Sequence, residues 1–243
     1  MSGCSISTGV EPVPHPEEHI MTVPDLTTYR AVHAAIRQAP HRMARAVLDV
    51  RPGDHRRVDA FARYWRGYAA EVLAHHTVED DIFFPVLAGR VELARAHVER
   101  TDADHHVLDE LMARCASGIA VLARDAGRPA RERVADDMHA LGAAMDEHLD
   151  FEDEHVLPLF AEHMDQTEYT AMEERAAKVM GIGVQAAFAV PFVVDAVDAE
   201  TRTHLFATAP AALRVLYRVC RRRHARLADL ALGDAPVLVA VAS

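Results

Sequence analysis

Apolar positions recur every three or four residues through most of the chain, and no alternating strand pattern appears before the last ten residues. The periodicity predicts helices over 25–50, 55–88, 92–126 and 130–164. They are separated by Pro52-Gly53, Gly89 and the stretch from Gly127 to Pro129, where glycine and proline end helical runs. Long helices joined by short connections pack as antiparallel neighbours. The expected fold is therefore all-α, an up-down-up-down four-helix bundle with a C-terminal helical appendage. Residues 1–24 are expected to form a disordered tail, 25–164 the bundle and 165–243 the extension. Within the extension, Glu168 to Met180 reads as amphipathic helix, Gly181 to Val194 as an apolar run, and Leu205 to Leu232 as a helix with a basic end at Arg221-Arg222-Arg223. These pieces are expected to pack on or beside the bundle.

Two of the core-facing stripes carry residues that do not belong in a core. Val72, His75, Glu79, Phe83 and Val86 follow the i, i+3, i+7 spacing of a buried face, as do Leu141, Met145, His148, Glu152, Val156 and Leu159. Both stretches write the same phrase, H-x-x-x-E-D, followed by Pro85 in one and Pro158 in the other. Residues four apart on a helix sit one above the other, so each phrase aims an imidazole and a carboxylate at one point inside the protein. Burying an unpaired carboxylate costs several kcal/mol, and buried charges are normally paired or bound to a metal. Two such pairs call for a cation.

Composition narrows the function without fixing it. At 243 residues the chain has room for one substantial core with a smaller appendage. The net charge of −11 falls within 1–164, because 165–243 holds nine basic and nine acidic residues. That balance argues against a nucleic-acid partner, since phosphate contacts need a basic surface. Twelve of the sixteen histidines lie between 33 and 163, around the repeated phrase. Cys4, Cys115 and Cys220 are far apart in sequence and form no C-x-x-C pair, which suits free thiols in a reducing cytoplasm. Cys115 reads as small buried filler. No signal peptide is visible in the proline-rich first 24 residues. The longest apolar stretch, Met180 to Val194, is short of the ~20 residues a membrane span requires and is interrupted by Gly181, Gly183 and Pro191.

The first and third helices should complete the site. His33 is the candidate on the first, in Val32-His33-Ala34-Ala35-Ile36, and the doublet His105-His106 on the third. The form H-x-x-apolar, shared by His33 with Ile36 and His105 with Leu108, selects His105. Spacing points to His106, because His33 to His75 and His106 to His148 are equally far apart. We take His105.

In the order His33, His75-x-x-x-Glu79, His105, His148-x-x-x-Glu152, the chain resembles the hemerythrin-like HHE-domain proteins over about 25–164. The resemblance implies a helix bundle around a non-haem di-iron centre, two iron ions per chain bridged by Glu79 and Glu152 and capped by the histidines. Imidazole with carboxylate suits such iron. The pattern departs from the oxygen carriers, which have H-x-x-x-H on the third helix, whereas Thr101 and Asp109 flank His105 at that spacing. They also end in H-x-x-x-x-D. One histidine is then missing, leaving a more open position that Asp109 or His106 would fill. Such a position favours peroxide, nitric oxide or solvent chemistry over reversible O2 storage.

Several neighbours have plainer readings. His76 and Asp80 lie about 100° round the helix from His75 and Glu79 and are expected in solvated or outer positions. His155 forms E-x-x-H with Glu152, the spacing of ferritin-like bundles, but Ile82 stands at the matching place after Glu79. His41, His55, His97, His139 and His163 read as surface histidines. Tyr64 and Tyr68 fall on the ligand face, as core aromatics or as hydrogen-bond donors toward bound oxygen. The extension holds only His204 and His224 and no imidazole–carboxylate pair at helical spacing, so no ligand is expected there. The leading functional reading is a di-iron protein that binds or turns over a small oxidant, hydrogen peroxide foremost, as a catalase- or peroxidase-like oxidoreductase if enzymatic. The alternative is a non-catalytic metal or oxygen sensor that signals through the C-terminal helices.

Overall fold

The computed structural model describes residues 22–180 and 185–233, and every regular element among them is helical. Most of the expected tail, the first residues of the apolar run and the last ten residues lie outside the described part. In chain order the elements are α1 (Thr27–Leu48), α2 (His55–Val78), a π-helical turn (Glu79–Phe83), α3 (Phe84–Arg90), α4 (Glu92–Leu122) and α5 (Arg128–Phe151). A second π-helical turn (Glu152–Val156), α6 (Leu157–His163), α7 (Gln166–Met180), α8 (Ala186–Val194), α9 (Ala199–Thr208) and α10 (Ala211–Leu232) follow.

The breaks follow the chemistry of the chain. Gly53 adopts a positive φ of 83°, and Asp54 then caps α2 by accepting from the Arg57 amide at 3.0 Å. The expected helix over Leu205 to Leu232 divides in two, because the residue before a proline is pushed out of the α region. Ala209 is extended (φ −63°, ψ 142°) and Pro210 caps α10.

The two expected long helices carrying the H-x-x-x-E-D phrase are each widened by one turn beginning at the glutamate. The Phe84 amide reaches back five residues to the Glu79 carbonyl, and the Leu157 amide to the Glu152 carbonyl. The trailing prolines account for this. Pro85 and Pro158 have no N–H to donate, and in a regular helix their rings crowd the carbonyl four residues back. A wider turn relieves that clash. It also moves the buried stripe on by one residue: Leu87 is fully buried where the periodicity chose Val86, and Phe160 more so than Leu159.

Helix α1 lies along α5, α5 along α4, and α2 meets α1, α4 and α10. The apolar interior falls into two clusters. One contains Ile36, Met43, Phe61, Tyr68, Val72, Leu108, Leu141 and Met145. The other contains Tyr29, Ile82, Phe83, Leu87, Val156, Phe160 and Tyr169. The repeated histidines and glutamates lie in the layer between them. α8 and α10 pack on α1 and α2, and α7 lies under the first π turn. Gly67 makes the α8 contact possible: a Cβ there would stand 2.5 Å from the Phe188 ring.

α7 carries a group whose charge opposes folding. Burial, with the nearby Asp25 assisting, pushes the Glu173 carboxyl from its ordinary 4.5 up to about 7. A raised carboxyl stabilises the fold fully below the unfolded value, and that contribution is lost as pH rises from 4.5 through about 7. Glu173→Gln should therefore melt higher than wild type at pH 8, by about 1–2 kcal/mol after allowing for partial exposure. The gap should close near pH 4.5, and thermal melts at the two pH values measure it.

Candidate metal centre

Seven buried polar side chains meet in the layer between the two apolar clusters. His33 comes from α1, His75 and His76 from the end of α2, Glu79 from the first π turn, His105 from α4, His148 from α5 and Glu152 from the second π turn. The helical spacing brings His75 Nε2 within 3.1 Å of Glu79 Oε1, and His148 Nε2 within 3.6 Å of Glu152 Oε1. Ligand atoms of His33, His75, Glu79 and Glu152 all lie within 4.8 Å of one another, and so do those of His76, His105 and His148.

The carboxylates join these two groups. Glu79 turns Oε1 toward His75 and His33 (3.1 and 3.9 Å) and Oε2 toward His105 (3.6 Å). Glu152 turns Oε2 toward His33 (3.4 Å) and Oε1 toward His148 (3.6 Å). Each glutamate thus offers one oxygen to each histidine group.

The electrostatics of the layer fit a cation. Nε2 of all five histidines, Oε2 of Glu79 and both carboxylate oxygens of Glu152 are buried with no hydrogen-bond partner. Folded proteins rarely leave so many buried polar atoms unsatisfied in one place. Burial, with the Glu79 carboxylate next in effect, drives Glu152 well above the usual carboxylate range. The imidazoles around Glu79, His75 foremost, overcome burial and hold Glu79 well below that range. Two buried carboxylates at this separation resist ionising together unless positive charge lies between them. Burial lowers His75 to about 3, His76 to about 4 and His148 to about 2, so all three are in the neutral form that binds metal.

Outer carboxylates hold two of the rings from behind. Asp153, the residue after Glu152, lies 2.9 Å from Nδ1 of His33, and Asp80, the residue after Glu79, lies 3.2 Å from Nδ1 of His105. The Tyr29 hydroxyl donates to Glu79 Oε1.

The profile of the hemerythrin HHE cation binding domain matches residues 25–160. The chain belongs to that family. No match is found among curated proteins or among solved structures. In this hemerythrin-family chain the structure gathers His33, His75, Glu79, His105, His148 and Glu152 in one layer. His106 and Asp109 are exposed on α4 and do not enter it.

Of the solvated and outer positions expected for His76, the solvated one is excluded by its burial. His76 is 4 % exposed, and its ring stacks on His105 with centroids 3.8 Å apart. α2 is interior on two flanks, so a side chain 100° round from His75 faces α4 and not water. His76 is thus a further imidazole of the layer, grouped with His105 and His148. His155 is exposed because the π turn carries it off the buried face. Tyr64 and Tyr68 pack among Trp65, Phe188 and Phe192 in the first apolar cluster. Tyr29, one helical turn before His33, is the tyrosine that reaches the layer.

Proposed function

We propose that the chain is a non-haem di-iron protein that binds or turns over a small oxidant, with hydrogen peroxide foremost and O2 or nitric oxide as further ligands. The division of each glutamate between two histidine groups carries this reading. In it, His33 and His75 would hold one iron and His76, His105 and His148 the other, with Glu79 and Glu152 as the expected bridges shared between the two groups. Their imidazole and carboxylate donors suit iron, which supplies the change of oxidation state. The family's cation-binding character supports the assignment. The finer fold reading, an up-down-up-down bundle over 25–164 with 165–243 as an extension, is proposed with it.

The residues around the ligands have separable tasks. The two apolar clusters keep water away from the layer, which strengthens every charge interaction inside it. Asp153 and Asp80 fix the tautomers of His33 and His105 with their Nε2 atoms pointing inward. Tyr29 holds a proton against Glu79. The His33 and His75 side has one imidazole fewer than the other, and an oxidant would bind there. Among the described residues no helix is long and apolar enough to cross a membrane. We place the protein in the cytoplasm, where the thiols of Cys115 and Cys220 stay reduced. A sensing role is the second reading, favoured by the Gln38 side chain on α1, which donates to the Ala196 carbonyl beyond α8 and so links the α1 ligand helix to the extension.

Metal analysis with an optical spectrum before and after peroxide tests the main reading. Two iron per chain and a peroxide-dependent spectrum are expected, and one zinc with no affinity for iron would sink it. His105→Ala and His76→Ala should each lower iron binding, while His106→Ala should leave it intact. Iron lost only in the His106 variant would place the α4 ligand at the wrong residue.

A further inference from the structure

Away from the metal centre, a cavity of about 140 Å³ opens between α1, α2, α8 and α10. Its wall is mainly apolar, with Ala35 and Ala39 from α1, Tyr64 from α2, Phe192 from α8 and Ala228 from α10. Three nitrogen-bearing side chains interrupt that wall; Gln38 donates to the Ala196 carbonyl, while Arg42 and His224 each keep an unsatisfied atom. His224 is 8 % exposed, its ring lies 6.2 Å from Tyr64 and 6.5 Å from Phe192, and its Nε2 has no hydrogen-bond partner. Arg42 is half-buried, its Nε is buried without a partner, and it makes no ion pair among the described residues. Unpartnered buried donors are costly and infrequent in folded proteins.

The charges at the cavity are uneven. Burial pulls the His224 imidazole below its ordinary value, with Asp195 opposing the fall and Arg42 adding to it. His224 is then neutral near pH 7, and Arg42 is the cation that lines the space. Asp195 stands exposed at the rim, where its carboxylate already accepts the Tyr217 hydroxyl at 2.8 Å. A cation left unpaired against an apolar wall is complementary to a ligand with one negative charge and a short apolar body. The volume suits a small ligand, since a cavity of ~150 Å³ has room for a molecule the size of benzene.

We propose that this cavity binds a small monocarboxylate, with its carboxylate on Arg42 and His224 and its apolar body against Tyr64, Phe192 and the alanines. An inorganic phosphate or sulfate fits less well, having no apolar part to cover the rings. The site stands independently of the metal reading, because none of its residues belongs to the histidine–glutamate layer. It does share α1 with that layer, Ala35 being two residues beyond His33. A bound carboxylate would fasten α8 and α10 onto the helix that carries His33.

The full-length protein tests this with butyrate, its uncharged isostere butyramide, and sodium chloride at matched ionic strength, read by thermal melting and by calorimetric titration. Butyrate should raise the melting temperature in a saturable way at millimolar concentration, and neither butyramide nor salt should do so. Arg42→Met should weaken butyrate binding at least tenfold. Ala228→Leu, which fills the cavity and keeps both nitrogens, should abolish binding while circular dichroism stays unchanged. Equal effects of butyrate and butyramide, full binding by either variant, or no butyrate binding by wild type would each overturn the proposal. If Arg42→Met does not fold, Ala228→Leu and the amide comparison decide.

Discussion

Glu152→Gln is expected to lose both iron ions while leaving the metal-free protein at least as stable as wild type. Glu152 is fully buried, and neither of its oxygens has a hydrogen-bond partner. One oxygen faces His33 and the other His148, so one substitution removes a negative donor from both histidine groups. Affinity should fall on the order of 100-fold or more, since even residues behind the ligands are worth 10–100-fold. In the metal-free state the same carboxylate is a burden, because burial and Glu79 oppose its charged form. An amide of the same shape removes that burden. The double outcome, iron lost and unfolding midpoint held or raised, separates a ligand from a structural residue. Full iron stoichiometry in Glu152→Gln and in Glu79→Ala would show that neither carboxylate ligates.

The ligand layer was legible where the information is local. A helix repeats every 3.6 residues, so His75 with Glu79 and His148 with Glu152 could be aimed at one point without knowing where either helix sits. The preference for His105 over His106 rests on the same kind of reason. The form H-x-x-apolar reports which face of its own helix a residue occupies, whereas equal spacing to the next motif counts connecting residues that say nothing about faces. The burial of His76 depends on what stands beside α2 on the α4 side, which the α2 sequence does not contain. The π turns are written in the prolines at 85 and 158, each of which removes a donor from its helix. Tyr29, one turn before His33, carried the same i, i+4 signal as the glutamates.

The aspartate that ends the doubled phrase also has a measurable role. Asp153→Ala and Asp80→Ala should each lower iron affinity about 10–100-fold without emptying the site. Asp153 lies 2.9 Å from His33 Nδ1, and Asp80 lies 3.2 Å from His105 Nδ1. In each case the aspartate that follows one buried glutamate steadies a histidine from a different helix. Removing it frees the ring to turn, and the iron loses a donor held in place in advance. The two aspartates support histidines in different groups and have separate partners, so their effects on overall loading should combine in the double variant nearly as the sum of the two free energies. Asp150→Ala is the control. That carboxylate is 71 % exposed and shares Arg37 with Asp153, yet touches no histidine of the layer. Chelator competition on the four proteins measures the ranking. Equal affinity in the Asp153, Asp80 and Asp150 variants would mean that helix packing alone orients His33 and His105, and that the repeated aspartate serves only the surface.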